Sequence, residues 1–136
     1  MKKIYIVGFI LALIALFSVL MIPSTVSYER IEQQPVLPQL SHAQDTWVRA
    51  LEWCESAGKP EAINPKDLDG TASHGSWQFK ESTFEYFKKA YGIVGELMDR
   101  SVQYAILVRM VLDPDKISFD KQFPDCVKKL GFPPRK

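Results

Sequence analysis

An uncharged, mostly apolar run over residues 4–22 most constrains what this chain can fold into. A helix of about 20 apolar residues crosses the ~30 Å hydrocarbon core of a bilayer. Lys2 and Lys3 precede the run, which favours a cytoplasmic N-terminus and an outward-facing remainder. We therefore predict an N-terminal transmembrane helix within residues 1–22, so the soluble core has to come from the rest of the chain.

A cleaved signal segment is the alternative interpretation of residues 1–22. The apolar part of a signal peptide is usually about 7–15 residues long and ends at a small-x-small site. The only weak site of that kind is Thr25-Val26-Ser27, which favours the anchor. Both interpretations predict an extracytoplasmic domain, either membrane-anchored or secreted after cleavage.

Residues 23–40 contain three prolines and no apolar periodicity, which indicates a linker. We expect the folded unit to span residues 41–132, with a short tail over residues 133–136. About 90 residues suffice for one small core, but such a core is marginal without a covalent link.

Two cysteines, Cys54 and Cys126, are the whole complement of the chain. An even count in a small exported domain predicts a disulfide. It would close a loop of about 70 residues and contribute on the order of 4 kcal/mol. Two unrelated buried thiols are the alternative. No His/Cys cluster has metal-ligand spacing, and His42 and His74 are far apart, so we predict neither a metal nor a cofactor.

The charge pattern excludes one class of partner. The formal net charge is +1, and no basic stripe is interleaved with aromatic residues, so nucleic acid is not predicted as a partner. A basic cluster at the C-terminus is typical of a solvated helix end, although weak attraction to an anionic wall or membrane polymer is an alternative; it comprises Lys128, Lys129, Arg135 and Lys136.

The first predicted helix begins at Ser41, which forms a capping box with Gln44, and it ends at Gly58. Its apolar residues recur at i, i+3, i+4 and i+7, which predicts one buried face; they are Trp47, Ala50, Leu51 and Cys54.

Three further helices are predicted. The second is capped by Ser82 and ends at Gly92, the third runs from Asp99 to the Asp113-Pro114 step, and a short fourth starts at Pro124. Their expected inner faces comprise Phe84, Phe87 and Tyr91, then Val102, Ala105 and Ile106, then Cys126, Val127 and Leu130. Residues 63–79 are rich in turn formers and allow at most a short hairpin. The fold class is therefore mainly α, or α+β: about four helices with a turn-rich lobe.

Glu55 lies in the last turn of the first helix, four residues after Leu51. Partial burial and the carbonyl end of a helix both raise the pKa of a carboxyl group. A raised pKa is what a general acid needs near neutral pH. An ordinary surface glutamate that ends a helix is the alternative.

Several segments resemble the catalytic domain of the resuscitation-promoting factors, a family similar to soluble lytic transglycosylases and of lysozyme-like fold. They are Trp47, Trp53-Cys54-Glu55-Ser56, Asn64, Ser73-His74-Gly75-Ser76-Trp77-Gln78-Phe79, Ser82-Thr83-Phe84, then Gln103, Ala105, Arg109 and Phe123-Pro124-Asp125-Cys126. The resemblance covers nearly all of the predicted folded unit and none of the anchor or linker.

The resemblance implies roles for individual residues. Glu55 matches the catalytic acid, Gln78 the polar floor of the sugar groove, and Gln103 a polar substrate-binding position on the third helix. Cys54 and Cys126 match the disulfide. The chain departs from the family pattern at Ser73, His74, Ser76 and Trp77 and in a longer, more acidic loop over residues 65–71. These departures affect the expected substrate preference more than the identity of the acid.

Further substrate contacts are predicted around the turn-rich lobe. Trp77, His74 and Tyr91 offer rings that stack on or hydrogen-bond to a glycan, with core packing as the alternative. Ser73 belongs to the same segment. Asp67 and Asp69 are candidates for a second carboxylate, or else solvated turn residues.

The sequence thus predicts a lytic transglycosylase that cleaves the β-1,4 bond between MurNAc and GlcNAc, with peptidoglycan glycan strands and the membrane as its partners. One alternative is a hydrolytic lysozyme that uses Glu55 and a loop aspartate. Others are a module that binds wall glycan without cleaving it and a purely structural envelope protein.

Overall fold

The computed structural model of this chain describes residues 36–67 and 69–135. The predicted anchor and most of the predicted linker lie outside these residues. Within them, every helix is too short or too polar to span a membrane.

The described part of the chain is mainly helical, which confirms the predicted fold class at that level. The α-helices are α1 (His42–Ser56), α2 (Glu81–Tyr91), α3 (Arg100–Leu112), α4 (Phe119–Gln122) and α5 (Pro124–Leu130), with a 3₁₀ turn at Pro114–Lys116. Three two-residue strands are β1 (Ile63–Asn64), β2 (Ser73–His74) and β3 (Phe79–Lys80). They form an antiparallel sheet in the order β1-β2-β3, with Ile63 opposite His74 and Ser73 opposite Lys80.

Helix α1 begins as predicted and ends slightly differently. The Ser41 Oγ accepts a hydrogen bond from the Gln44 amide at 3.3 Å, and Gln44 Oε1 accepts one from the Ser41 amide at 3.0 Å. This confirms the capping box. The residue that caps the C-terminus is Ala57, which takes the left-handed conformation with φ of 55° and donates its amide to the Trp53 carbonyl. Gly58 follows with a positive φ of its own.

Helix α2 corrects one predicted cap. It begins at Glu81 with Lys80 in the N-cap position, so Ser82 lies inside the helix, and no side chain caps its first turn. The reason is tertiary, because β3 ends at Lys80 and the chain passes directly into the helix. Gly92 ends α2 in a left-handed conformation, as predicted.

The later helices agree with the sequence patterns. Asp99 Oδ1 accepts a hydrogen bond from the Ser101 amide at 2.8 Å and caps α3, which ends at Leu112 immediately before Asp113-Pro114. Helix α5 begins at Pro124 and buries Cys126 and Val127, while Leu130 is exposed. The 3₁₀ turn and α4 were not predicted, since neither is long enough to show a helical period.

The core surrounds α3, most of whose side chains are buried. Against it pack Leu51 of α1, Phe84 of α2 and Phe119 of α4, each almost fully inaccessible to solvent. Burying a side chain of this size contributes about 1.5–3 kcal/mol. Because α3 is enclosed by the other helices, its sequence is apolar nearly all round rather than along one stripe.

Residues before position 41 and after position 132 also contact the folded unit. Leu37 and Leu40 pack against it from the N-terminal side. From α1, the Gln44 side chain donates to the Pro134 carbonyl at 3.2 Å, and Trp47 Nε1 donates to the Gly131 carbonyl at 3.0 Å. The C-terminal residues are therefore held against the start of α1.

The predicted disulfide between Cys54 and Cys126 is confirmed, with their α-carbons 5.9 Å apart. It joins the last turn of α1 to α5. The residues that precede and follow these cysteines are consequently held near one another.

Replacing Gly75 would test how tightly the turn between β2 and β3 is packed. Its φ is +76°, and an added Cβ would lie 2.2 Å from Gln103 Nε2. Gly92 has a similar φ of +63° but open space around it. We expect Gly75→Ala to lower the free energy of unfolding by about 3–5 kcal/mol, because it adds a clash to the backbone strain. Gly92→Ala should cost about 1–2 kcal/mol from strain alone. Urea unfolding measures both, and equal losses would contradict the tight packing.

Candidate active site

A cleft of about 470 Å³ opens between the end of α1, the turn-rich lobe and the α4–α5 junction. Its lining is mostly polar and includes charges of both signs. The lining residues are Glu55, Asp67, Asp69, Gln78, Phe79, Lys80, Ser82, Thr83, Lys121, Gln122, Phe123, Pro124 and Asp125. The predicted acid, both predicted loop aspartates and Gln78 therefore share one cavity.

Glu55 is half-buried in this cleft, and its pKa is raised to about 7. Burial is the main cause, since it disfavours the charged carboxylate. The negative charges of Asp67 and Asp125 raise the pKa further, and the positive charge of Lys129 opposes them. Near pH 7 the group is present both with and without its proton. It can therefore donate a proton in one step and accept one in the next.

The two loop aspartates differ in their ionic environment. Lys80 Nζ forms an ion pair with Asp69 and lies 3.9 Å from Asp67 Oδ2. Asp69 also accepts hydrogen bonds from the Thr71 hydroxyl and amide, and these contacts with Lys80 and Thr71 hold its pKa well below the usual range. Asp69 is thus fixed as an anion and is a poor proton acceptor. Asp67 acts on the Glu55 carboxyl through its charge.

Gln78 lines the cleft and also holds the turn that carries it. Its Nε2 donates to the carbonyls of Gly75 at 2.8 Å and Ala62 at 3.2 Å, and its Oε1 accepts from the Ser73 hydroxyl at 3.1 Å. Its backbone is left-handed, with φ of 49°, at a cost of about 1–2 kcal/mol for a residue other than glycine. These bonds offset that strain and fix the side chain at the cleft.

Gln103, predicted to contact substrate, instead supports the site from behind. It is fully buried. Its Oε1 accepts from the Trp77 amide at 3.1 Å, and its Nε2 donates to the carbonyls of His74 at 3.0 Å and Leu97 at 2.6 Å. The predicted substrate contact is therefore wrong in this structure, because every bond of the amide goes to the protein backbone.

Two other predicted substrate contacts are corrected because their side chains are buried and bonded within the protein. Trp77 is fully buried, donates Nε1 to the Val48 carbonyl at 3.1 Å, and lies under the Arg100 guanidinium at 5.4 Å. Ser73 is 2% exposed and bonds to Gln78. Both residues shape the lobe that carries Gln78 and have no surface to offer a glycan.

Tyr91 and His74 lie outside the lining of the cleft. The Tyr91 ring stacks on Phe87 at 5.8 Å, and burial raises its pKa to about 12. This agrees with the core-packing alternative for Tyr91. His74 is half-buried in β2, and its contact with a glycan stays a prediction.

Sequence reasoning missed an ion pair that joins α1 to α3. Arg100 Nε donates to Glu52 Oε1 at 2.6 Å, and a terminal Arg100 nitrogen donates to Glu52 Oε2 at 2.7 Å. Glu52 is 7% exposed, and the Arg100 guanidinium holds its pKa below the usual value. The partners are 48 residues apart, so no local pattern indicates the pair.

Six polar residues of the cleft were also not predicted as site residues: Lys80, Ser82, Thr83, Lys121, Gln122 and Asp125. Lys121 could not be assigned because the prediction placed no helix between residues 114 and 123. Asp125 lies in a predicted helix, but its place in the cleft depends on how the disulfide brings that helix to α1. Ser82 was interpreted as the cap of the second helix, and Thr83 was noted only as part of the Ser82-Thr83-Phe84 segment.

Residues 36–67 and 69–135 contain no group of three or more histidine, cysteine, aspartate or glutamate side chains that could hold a metal ion. Comparisons with protein-family models, curated proteins and solved structures find no significant match to this chain. The chemistry of the site is therefore argued from its own residues.

The raised pKa of Glu55 has a consequence for stability. A group whose folded pKa exceeds its unfolded pKa stabilises the fold fully below the unfolded value, near 4.5, and loses that contribution as the pH rises through about 7. We expect Glu55→Gln to be more stable than the parent by about 1–3 kcal/mol at pH 8 and similar to it at pH 4. Denaturant unfolding at both pH values measures this difference.

Glu61→Gln is a matched control for that experiment, because Glu61 is exposed and lies outside the cleft lining. It should leave the stability unchanged at both pH values. A Glu55→Gln variant that gains nothing at pH 8 would show that the carboxylate is fully solvated in the folded protein.

Proposed function

We propose that this protein is a lytic transglycosylase that cleaves the β-1,4 bond between MurNAc and GlcNAc in peptidoglycan. The observation that supports this most directly is a carboxyl group with a pKa of about 7, Glu55, in a polar cleft. The resemblance to the catalytic domain of the resuscitation-promoting factors points to the same reaction and the same acid.

The reaction needs one group that first donates and later accepts a proton. Protonated Glu55 gives its proton to the glycosidic oxygen as the bond from that oxygen to the anomeric carbon breaks, and the bonding electrons leave with the oxygen. Positive charge grows on the sugar. The Glu55 carboxylate then takes the proton of the sugar's own 6-hydroxyl, whose oxygen attacks the anomeric carbon. The products are a 1,6-anhydro end and a free 4-hydroxyl.

The rest of the cleft suits a saccharide. The hydroxyls of Ser82 and Thr83 and the amide of Gln122 line it. Such groups donate and accept hydrogen bonds and so match the hydroxyls and N-acetyl groups of a glycan strand. Phe79 and Phe123 also line the cleft, are almost fully buried, and contact each other edge to face with ring centroids 5.9 Å apart.

Hydrolysis by water is the second candidate reaction. It is favoured by Asp67, which lines the same cleft and raises the pKa of Glu55 by its charge. Glycosidases that use water commonly place two carboxyl groups on either side of the scissile bond. A module that binds glycan without cleaving it would need no proton donor, so the raised pKa of Glu55 speaks against it.

We also propose that the domain works outside the cytoplasm, attached through residues 1–22. The disulfide supports an oxidising compartment, since such bonds persist mainly in exported proteins. Residues 1–22 lie outside the described part of the chain, so the attachment rests on the apolar run of the sequence.

The proposed role of Glu55 is tested by digesting purified peptidoglycan with the parent chain and with Glu55→Gln. The glutamine keeps the shape of the side chain but has no proton to donate, so we expect at least a hundredfold loss of soluble fragments with an unchanged circular dichroism spectrum. Glu61→Gln should cleave at the parent rate. Retention of more than about a tenth of the parent rate by Glu55→Gln would remove this residue from the mechanism.

The same digests distinguish the two reactions. Mass spectrometry of the released fragments should find 1,6-anhydro-muramyl ends, because the sugar's own hydroxyl is the proposed nucleophile. Reducing ends would establish hydrolysis instead. Binding of the protein to the wall without released fragments would support the non-catalytic module.

A further inference from the structure

The disulfide brings a third aspartate, Asp125, into the cleft that contains the candidate acid. Glu55 follows Cys54 and Asp125 precedes Cys126, and the α-carbons of the two cysteines are 5.9 Å apart. With about 3.8 Å between consecutive α-carbons, those of Glu55 and Asp125 lie within roughly 14 Å. Both residues line the same cleft. The disulfide therefore holds the segments that carry Glu55 and Asp125 close together at one cleft.

The charges around Glu55 come from two elements. Asp67 comes from the loop after β1, while Asp125 and Lys129 come from α5. The other charged residues of the cleft are Asp69 and Lys80, which pair with each other, and Lys121 of α4. Burial is the main reason that Glu55 keeps its proton, and the negative charges of Asp67 and Asp125 add to it.

Asp125 differs from the loop aspartates in its partners. Asp69 is paired with Lys80, and Asp67 lies 3.9 Å from the same ammonium group. No ion pair of Asp125 is found among residues 36–67 and 69–135. Asp125 is exposed in the first turn of α5. Asp125 is thus the cleft aspartate with no cation at ion-pair distance among these residues, although the charge of Asp67 has the larger effect on the pKa of Glu55.

We propose that Asp125 is the second functional carboxylate of this cleft. Its negative charge adds to burial and to the charge of Asp67 in keeping the proton on Glu55 before cleavage, and it stabilises the positive charge that grows on the sugar during cleavage. The second role rests on the proposed glycosidase function, whereas the first does not. Asp125 forms no bond to the substrate and takes up no proton, so the atoms and electrons balance as in the transglycosylase reaction above.

The first role is tested without any activity, by following the carboxyl carbon of Glu55 by NMR across the pH range. Replacing Asp125 by Asn removes the charge at nearly constant size, so the pKa of Glu55 should fall by about half to one pH unit. At pH 7 the protonated fraction would then drop roughly two- to fivefold. Asp125→Glu keeps the charge and should titrate like the parent chain.

Asp120→Asn is the matched control, because Asp120 is an exposed aspartate of α4 that lies outside the cleft lining. Its replacement should leave the titration of Glu55 unchanged. Equal titration curves for the parent, Asp125→Asn and Asp120→Asn would overturn the proposal, whether or not the protein cleaves peptidoglycan.

The second role is tested by the pH dependence of kcat/KM on soluble glycan fragments. In Asp125→Asn, we expect the alkaline limb to move to lower pH and the rate at pH 5, where Glu55 keeps its proton, to fall about ten- to hundredfold. Asp125→Glu should recover most of both losses. A shifted limb with an undiminished rate at pH 5 would overturn the stabilising role. If the parent chain itself is inactive, the proposed function fails, and the NMR titration still decides the first role.

Discussion

The disulfide between Cys54 and Cys126 is the constraint on which the candidate site depends. It joins the last turn of α1 to α5, and the cleft lies where these two elements meet the turn-rich lobe. A domain of this size gains a large part of its stability from one such link. Because each cysteine is the neighbour of a cleft carboxylate, the bond that stabilises the fold also positions its acidic groups.

The turn-rich lobe depends on a second device, a set of buried polar contacts. Gln103 bonds to two backbone groups around the turn between β2 and β3 and to the Leu97 carbonyl before α3, while Trp77 bonds that turn to α1. A buried amide with all its bonds made is stabilising, and one left unpaired costs about 1–3 kcal/mol. The irregular backbone that presents Gln78 can therefore be as well fixed as a helix. The lobe has the composition of a loop, but side-chain hydrogen bonds fix its backbone.

The proton affinity of Glu55 shows how the site and the stability of the fold are linked. The same burial that raises its pKa to about 7 makes the carboxylate form costly to the folded state. A fully solvated glutamate would avoid that cost and would be ionised at neutral pH, with no proton to donate. Glu52, one turn earlier on α1, is the opposite case, since its bidentate ion pair with the partly exposed Arg100 keeps that buried carboxylate charged.

Local patterns in the sequence determined the elements whose signals are contained within a few residues. These include the capping box of Ser41, the cap of α3 at Asp99, the start of α5 at Pro124 and a glutamate placed at the end of a helix beside its apolar face. The even number of cysteines and the small size of the folded unit predicted the disulfide. Only the tertiary structure decided which polar residues face the cleft. Gln103 and Trp77 point inward because distant backbone groups need their hydrogen bonds, whereas Asp125 reaches the cleft because a disulfide brings α5 to α1. Such pairings join residues far apart in the chain, and no local period encodes them.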